Sequence, residues 1–391
     1  MTEIYILYCV AFLFSTVMGM LIIPRIISIS HEKRLMDDPN HRDVHISPTP
    51  RLGGIAFVPI ILMTVFGFNC LCAEYSDINI MGYDSNTLMQ IQAYGIGIMM
   101  LYLVGVADDL VSVNFKAKFA SQIAAGALLT ATGLWLKNDM SLLGINGIPA
   151  WIGIPISIFL VVYITNAINL IDGVDGLASG ICILTFAFYA IIFSIQERHL
   201  FVCISLAILG VLCVFFIFNV FGGEGRSLKK LFMGDTGSQT LGYTISFLIL
   251  ILSQYAGQRV FVVTGAMYAA LAPLVIPLLD IIRVVFARYR DRVPLFQPDR
   301  RHIHHKLLRA GLSARMTMVT LLLLTVGFIG LNVVLPIFFR STWVVAGNAI
   351  AWTVMHLAIN HFIKKNETEH PEVREKYANP KGTIKNDKWK L

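Results

Sequence analysis

The chain has 391 residues, of which 56% are hydrophobic and only 14% are charged, and its formal net charge is +7. So much apolar surface cannot be buried inside a water-soluble domain of this length, which excludes a soluble globular protein and indicates a polytopic membrane protein. The excess of positive charge indicates a topology signal with some attraction for anionic lipid and phosphate, and it does not imply nucleic-acid binding.

Apolar stretches long enough to cross a bilayer recur along the chain. Because a membrane helix needs about 20 mainly apolar residues, the sequence predicts an all-α bundle of about eleven transmembrane spans. They lie near 4–24, 52–72, 88–106, 119–136, 151–168, 177–195, 200–220, 237–253, 260–282, 316–338 and 342–363. Pro155 leaves a re-entrant fifth span as an alternative. The membrane domain therefore covers 1–363, and the polar, Lys-rich residues 364–391 are predicted to form a flexible tail.

Basic residues are distributed very unevenly between alternate loops. The set of loops that begins with 25–51 and ends with the tail contains 27 of the 31 Lys and Arg residues. The other set contains only Lys137, Arg198, Arg259 and Arg340. Since loops rich in Lys and Arg stay in the cytoplasm, this distribution predicts an N-terminus outside and a cytoplasmic C-terminus.

Most residues that could do chemistry lie in the predicted cytoplasmic loops, which are 25–51, 107–118, 166–176, 219–238, 283–315 and the tail. A single decorated face is typical of an interfacial enzyme, whereas a transporter usually has polar groups near the bilayer midplane. A transporter of a sugar or of a lipid-linked substrate stays the alternative. Its only hint is Pro273 and Pro277 beside Asp280, for which a kinked packing helix is the simpler interpretation.

Acids and amides cluster at predicted helix ends. They are Asp108 and Asp109, then Asn166, Asn169, Asp172 and Asp175 at a spacing of three, and Asp235 between two glycines. A spacing of three drifts by about 60° per step on a helix, so the four middle residues could share one face. An oxygen-rich set without thiols favours a hard cation such as Mg²⁺. Capping of helix ends at the interface is the alternative.

The predicted cytoplasmic loop after the ninth span is rich in basic groups. It contains Arg292, Arg300, Arg301, His302, His304, His305 and Lys306. Fixed donors around developing negative charge are what phosphoryl transfer requires, so this loop complements the acidic cluster. Zinc binding by the histidines and a merely solvated basic loop are the alternatives.

Five stretches together resemble the polyprenyl-phosphate N-acetylhexosamine-1-phosphate transferases, members of glycosyltransferase family 4. They are DDPNHRDVHISPTPRLGG, GVADDL, NAINLIDGVDGLASG, FMGDTGS and RRHIHHKLLRAGLS, in the order that the family shows. The last stretch is more similar to the undecaprenyl-phosphate GlcNAc-1-phosphate branch than to the phospho-MurNAc-pentapeptide translocases. One departure is the longer connection FGGEGRSLKKL, whose lysines are expected to contact lipid head groups.

The resemblance implies transfer of N-acetylhexosamine-1-phosphate, most often GlcNAc-1-phosphate, from a UDP-sugar to undecaprenyl phosphate, with release of UMP. It implies Mg²⁺, which Mn²⁺ can replace, and a multi-pass protein of the bacterial inner membrane whose site faces the cytoplasm. Membrane lipids are expected partners, and a homodimer stays open. Such a reaction starts the synthesis of lipid-linked glycans, including O-antigen and cell-wall polymers.

The resemblance also carries roles over to single residues. Asn169 and Asp235 would hold the metal, Asp108 would be the general base and Asp109 would support it. Catalytic or nucleotide contacts would come from Asp172, Asp175, His302, His304 and His305. Substrate-binding residues would be His45, Thr49, Arg51, Asn219, Phe232 and Arg301, with Phe232 stacking on uracil.

Overall fold

The computed structural model describes residues 2–36, 49–75, 85–137, 139–140, 145–223, 228–254, 266–292, 294, 300–339, 341–371 and 373. The predicted site residue His45 lies outside them. The described chain is helical apart from two two-residue strands, β1 (Asp139–Met140) and β2 (Ile145–Asn146), which pair antiparallel with Asp139 opposite Asn146. The prediction of an all-helical protein is confirmed.

Thirteen α-helices follow one another in the described residues. They are α1 (Thr2–Glu32), α2 (Phe57–Tyr75), α3 (Ser85–Val111), α4 (Phe115–Ala131), α5 (Ala150–Ile171), α6 (Leu177–Ile195), α7 (His199–Phe221), α8 (Gly234–Gln254), α9 (Ala266–Leu271), α10 (Val275–Arg290), α11 (Ile303–Arg309), α12 (Ala314–Phe338) and α13 (Ser341–Glu369). Within these residues, nine helical segments are long and apolar enough to cross a membrane by length and composition. The chain is therefore a multi-pass membrane protein.

Helices α4 and α8 are the two predicted spans that are not among the nine. Helix α4 has only 17 residues. Helix α8 is the centre of the bundle, because every residue from Thr236 to Ser253 is buried. It packs mainly against α3 and α5, and most of its serine and threonine hydroxyls donate to carbonyls within their own helix, as Thr244 does to Thr240 at 2.8 Å. A helix surrounded by protein can carry such polar residues at a lower cost than a lipid-facing helix.

Prolines have different effects in two predicted spans. Helix α5 runs unbroken through Pro155 for 22 residues, so the structure does not contain the re-entrant alternative. The ninth span is interrupted: α9 ends at Leu271, a 3-10 turn covers Ala272–Leu274, and α10 begins at Val275. Because Pro273 lies in this turn, the interpretation as a kinked packing helix is confirmed.

The last helix extends past residue 364, where the flexible tail is predicted to begin. Helix α13 continues to Glu369, because its final turns gain partners on the short helix α11. Asn366 donates to the backbone oxygen of Arg309 at 2.9 Å. Residues 374–391 lie outside the described residues.

Candidate active site

Three aspartates from two helices form the acidic centre of the site. Asp108 and Asp109 lie in the last turn of α3, and Asp235 lies in the first turn of α8. One carboxylate oxygen from each lies within 4.8 Å of the others. The approach depends on Gly105, where a Cβ atom would lie 2.5 Å from the Cα of Thr236. Residues distant in the chain therefore meet because these two helices touch backbone to backbone.

Asp109 caps the N-terminus of α8 from a neighbouring helix. Its carboxylate accepts hydrogen bonds from the backbone N–H of Asp235 at 2.7 Å and from the backbone N–H and the hydroxyl of Thr236 at 3.0 and 2.6 Å. A carboxylate at this position satisfies orphan N–H groups and faces the positive end of the helix dipole. Gly234, the residue before Asp235, has φ +71°, and a Cβ atom on Gly234 would lie 2.6 Å from Asp109 Oδ2. Asp109 thus fixes α3 to α8 in one register.

Lys118, in the first turns of α4, connects the other two acids. Its Nζ lies 2.8 Å from Asp235 Oδ2 and 3.1 Å from Asp108 Oδ2. Burial works against the charged form of both partners, but the attraction outweighs it: the pKa of Asp235 is lowered and the pKa of Lys118 is raised. Sequence analysis did not single out this lysine. The available signal was a basic residue placed shortly after the Asp108–Asp109 pair, in the next helix.

The amides of α5 separate into two roles. The Asn169 amide nitrogen donates to Asp235 Oδ1 at 3.0 Å and to the Ser238 hydroxyl at 2.9 Å. Asn166 instead donates to Gln122 on α4 at 2.7 Å. Helix α5 ends at Ile171, and Asp172 has φ −75° and ψ 48°. The predicted common face of four residues is therefore only partly present, because the helix stops before Asp172.

Asp172 lies in the turn between α5 and α6. Its side chain is exposed to solvent although protein surrounds it closely. Removal from bulk water, followed by the charges of Asp175 and Asp235, raises the pKa of Asp172 to about 7, and Arg51 acts in the opposite direction. Asp172 is thus a carboxyl group that holds its proton more tightly than usual.

Asp175 is paired with a lysine from the inserted connection. Lys230 Nζ lies 2.6 Å from Asp175 Oδ2 and 5.0 Å from the centre of the Phe232 ring. This corrects the expectation of a lipid contact for Lys230, which points into the site instead. Its neighbour Lys229 is exposed. The ion pair joins the turn before α6 to the segment before α8.

Asn219, near the end of α7, is buried and bonds only to backbone among its described partners. Its amide accepts from the N–H of Gly176 at 2.6 Å and donates to the oxygen of Leu231 at 2.8 Å. Phe232, which follows Leu231 in the chain, forms two backbone hydrogen bonds with the first loop. Its N–H donates to the oxygen of Pro50 at 2.8 Å, and its oxygen accepts from the N–H of Gly53 at 3.0 Å. Thr49 is buried and Arg51 is exposed beside this pairing. Asn219 therefore holds the wall of the site together.

A single buried acid anchors the histidine segment. Asp280 on α10 accepts from the backbone N–H of Ile303 with both oxygens, at 3.1 Å each, and lies 2.9 Å from His302 Nδ1. Arg283 also pairs with Asp280, at 2.7 Å. Arg301 pairs with Asp291 at 2.6 Å. Asp280, whose place beside two prolines was the hint of a transporter, therefore holds the N-terminus of α11.

His304, in the first turn of α11, is buried against the turn that carries Asp172. A Cβ atom on Gly173 would lie 2.4 Å from His304 Nε2. Burial, followed by the charges of His305 and His302, lowers the pKa of His304 well below its usual value, so the ring is neutral at pH 7. Burial, followed by the charge of Arg283, lowers the pKa of Lys306, two positions further along α11, to about 8. Helix α11, the histidine helix, and the turn between α5 and α6 that carries Asp172, the aspartate turn, therefore form one continuous surface.

The donor chemistry fits a hard divalent cation. Within the described residues, the one group of three or more possible ligands is Asp108, Asp109 and Asp235, which offers only oxygen. Oxygen donors without thiols suit Mg²⁺. Among the described histidines no group has comparable geometry, so nothing there favours zinc. The Asn169 amide presents its nitrogen to Asp235, and metal binding at this position would need its oxygen.

Comparisons with known proteins identify the family of the chain. Residues 91–253 match the model of glycosyl transferase family 4. A probable undecaprenyl-phosphate N-acetylglucosaminyl 1-phosphate transferase of Bacillus subtilis is 30% identical over 321 residues, 82% of either chain. A decaprenyl-phosphate N-acetylglucosaminephosphotransferase of Mycobacterium leprae is 32% identical over 341 residues, again 82% of either chain. An undecaprenyl-phosphate alpha-N-acetylglucosaminyl 1-phosphate transferase of Escherichia coli is 29% identical over 296 residues, 74% of this chain and 73% of the relative. The chain, a multi-pass membrane protein with its acids gathered between α3 and α8, belongs to glycosyl transferase family 4.

Proposed function

We propose that this protein transfers N-acetylhexosamine-1-phosphate, specifically GlcNAc-1-phosphate, from UDP-GlcNAc to undecaprenyl phosphate. A phosphate oxygen of the lipid forms a bond to the β-phosphorus of the donor, the bond between the β-phosphorus and the bridging oxygen breaks, and UMP leaves. The observation that carries the proposal is the convergence of Asp108, Asp109 and Asp235 beside Lys118 and Asn169. The names of the relatives support GlcNAc as the sugar and a polyprenyl phosphate as the acceptor.

Asp235 and the amide oxygen of Asn169 would hold Mg²⁺, or Mn²⁺ in its place. A bound divalent cation would neutralise charge on the pyrophosphate of the donor. Asp109 is committed to capping α8 through both of its oxygens, so we assign it to positioning. It holds Asp235 relative to Asp108.

Asp108 is proposed as the general base that removes the remaining proton from the lipid phosphate. Its side chain is 14% exposed and pairs with Lys118. Burial, followed by the neighbouring Asp235, raises the pKa of Asp108, so its carboxylate binds a proton more strongly than usual, which suits a proton acceptor. Lys118 also adds positive charge next to the place where two phosphates must meet. This reduces their mutual repulsion, which is the main electrostatic obstacle to the reaction.

The nucleotide is proposed to lie between the aspartate turn and the segment before α8. Asp172, Asp175 and Phe232 would contact it, with Phe232 stacking on uracil and Asn219 holding the wall behind. Lys230, which bridges Asp175 and Phe232, joins this set. His302, His304, His305 and Arg301, with Thr49, Arg51 and His45, are proposed to meet phosphate or the N-acetyl sugar.

We further propose eleven membrane spans, with the N-terminus outside and the C-terminus and the site in the cytoplasm. The location is the bacterial inner membrane, where the enzyme starts lipid-linked glycan synthesis such as that of O-antigen or cell-wall polymers. The Lys and Arg distribution supports this orientation. A thiol reagent that cannot cross membranes should label Arg300→Cys, in a variant lacking the native cysteines, only from the cytoplasmic side. Labelling from outside would contradict the orientation.

The direct test uses purified protein with radiolabelled UDP-GlcNAc, undecaprenyl phosphate and Mg²⁺. We expect label to move into the lipid extract and UMP to appear in equal amount. UDP-GalNAc and UDP-glucose serve as competing donors that test the sugar. Label that stays water-soluble with every donor would overturn the proposal, and transfer from another UDP-N-acetylhexosamine alone would overturn the choice of GlcNAc.

A further inference from the structure

The short helix α11 has too few residues to hold its own position. It covers only Ile303–Arg309, whereas isolated helices shorter than about 12 residues are marginal in water. Its N-terminus is fixed by Asp280 on α10, which accepts from the N–H of Ile303. Ile303 and Leu307 are buried in the core, and a second polar attachment lies at the other end of the helix.

The cytoplasmic end of α13 supplies this second attachment. The Asn366 amide nitrogen donates to the backbone oxygen of Arg309, the last residue of α11, at 2.9 Å. Glu367 forms an ion pair with the Arg309 side chain. The Glu367 side chain is 16% exposed, which makes this pair better shielded than ordinary surface pairs. Gly311 follows with φ +95°, and a Cβ there would lie 3.0 Å from Asn366.

The same face of α13 packs on the bundle before it reaches α11. Ile359 and Ile363 are 6% and 7% exposed and belong to the hydrophobic core. Their spacing to Asn366 and Glu367 continues one helical face. The helix therefore approaches α11 as a supported rod, although its last turns lie beyond the predicted membrane span.

We infer that Asn366 and Glu367 are positioning residues for the proposed transferase reaction, and this inference rests on the proposed function. They act through α11, whose His304 lies against Gly173 in the turn that carries Asp172. Releasing the end of α11 would let its first turn shift relative to that turn. Since a misplacement of about 1 Å can cost as much as 100-fold in rate, the expected effect is on turnover.

The experiment compares Glu367→Ala and Asn366→Ala with Glu369→Ala in the full-length protein. Glu369 lies on the same helix, is exposed, and reaches only Lys365, at 4.0 Å. We expect kcat to fall about tenfold or more in the first two variants, with little change in the KM for UDP-GlcNAc, and to stay at the wild-type value in the third. The exchanged pair Arg309→Glu with Glu367→Arg should recover part of the loss. Equal kcat values in Glu367→Ala, Asn366→Ala and Glu369→Ala would overturn the inference.

A second measurement separates this inference from the proposed function. Hydrogen exchange of residues 303–312, followed by mass spectrometry, reports the attachment of α11 without any substrate. We expect faster exchange in Glu367→Ala and Asn366→Ala than in Glu369→Ala, at equal thermal stability of the whole protein. Unchanged exchange would overturn the attachment. An inactive wild type that still showed the exchange difference would contradict the proposed reaction and leave the attachment of α11 supported.

Discussion

The acidic centre and the histidine helix are built in opposite ways. Asp108, Asp109 and Asp235 lie at the ends of two long helices that touch backbone to backbone inside the bundle, and glycine makes the contact possible. Helix α11 is short, buries Ile303 and Leu307 in the core, and is held at its ends by polar contacts with Asp280 and with the end of α13. The acidic half of the candidate site is therefore the rigid half, positioned by helix-to-helix packing, whereas the histidine half is the attached half, whose position also depends on a few polar contacts.

The largest effect should come from the rigid half. Asp235→Asn removes the charge that pairs with Lys118 and would bind the cation, so we expect turnover to fall by about 1,000-fold or more, as when a fixed electrostatic group at a reacting centre is lost. Steady-state kinetics with UDP-GlcNAc at a series of Mg²⁺ concentrations measures this. Lys229→Ala, in the exposed part of the insert, is the control and should keep wild-type activity. Full turnover in Asp235→Asn would remove the metal assignment.

The next effect tests the attached half. Asp280→Asn weakens the contacts to Ile303, His302 and Arg283 together, and leaves Arg283 partly uncompensated. We expect kcat to fall by about 100-fold through displacement of α11, and the thermal midpoint to fall as well, since breaking a buried ion pair costs about 3–5 kcal/mol.

The matched change for Asp280→Asn is Glu369→Gln, which alters an exposed acid of α13. It should alter neither kcat nor the thermal midpoint. If Asp280→Asn loses thermal stability while kcat per folded protein stays normal, Asp280 has a role in folding but none in positioning α11.

A smaller effect is expected from Lys230, in the proposed nucleotide site. Lys230→Ala removes the ion pair to Asp175 and the cation above Phe232, which leaves Asp175 without its fixed orientation. We expect the KM for UDP-GlcNAc to rise about tenfold with little change in kcat, because the loss concerns binding and not the reacting atoms. Lys229→Ala is again the matched control. An unchanged KM in Lys230→Ala would return this lysine to the role of a lipid contact.

The sequence allowed the rigid half to be predicted better than the attached half. Hydropathy predicted the helices, and the distribution of Lys and Arg predicted their orientation. The acids at the helix ends were singled out because the predicted topology brings these ends to one side of the membrane. Lys118 escaped notice because nothing local in α4 marks it, and its role comes from contact with two other helices. Asp280 and Asn366 were missed as attachments because their partners are more than 20 and 50 positions away in the chain. A sequence pattern can indicate which residues cluster, but the contacts that hold the cluster in place are visible only in the packed structure.

The mildest prediction uses pH to distinguish binding from stability at Asp172. Its pKa is raised from the usual 3.8 to about 7, so the folded protein holds this proton more tightly than the unfolded chain does. Raising the pH from 4 to 7 therefore lowers the free energy of unfolding contributed by this group, because stability falls wherever the folded state binds more protons. The same rise in pH produces the carboxylate that the nucleotide site would use. We expect the KM for UDP-GlcNAc to fall, by about two- to fivefold, over the upper part of this range while the thermal midpoint also falls. Asp172→Asn should lose both trends, and Glu369→Gln should keep both. Equal dependence of KM and of the thermal midpoint on pH in the wild type and in Asp172→Asn would contradict a raised pKa of Asp172 in the folded protein.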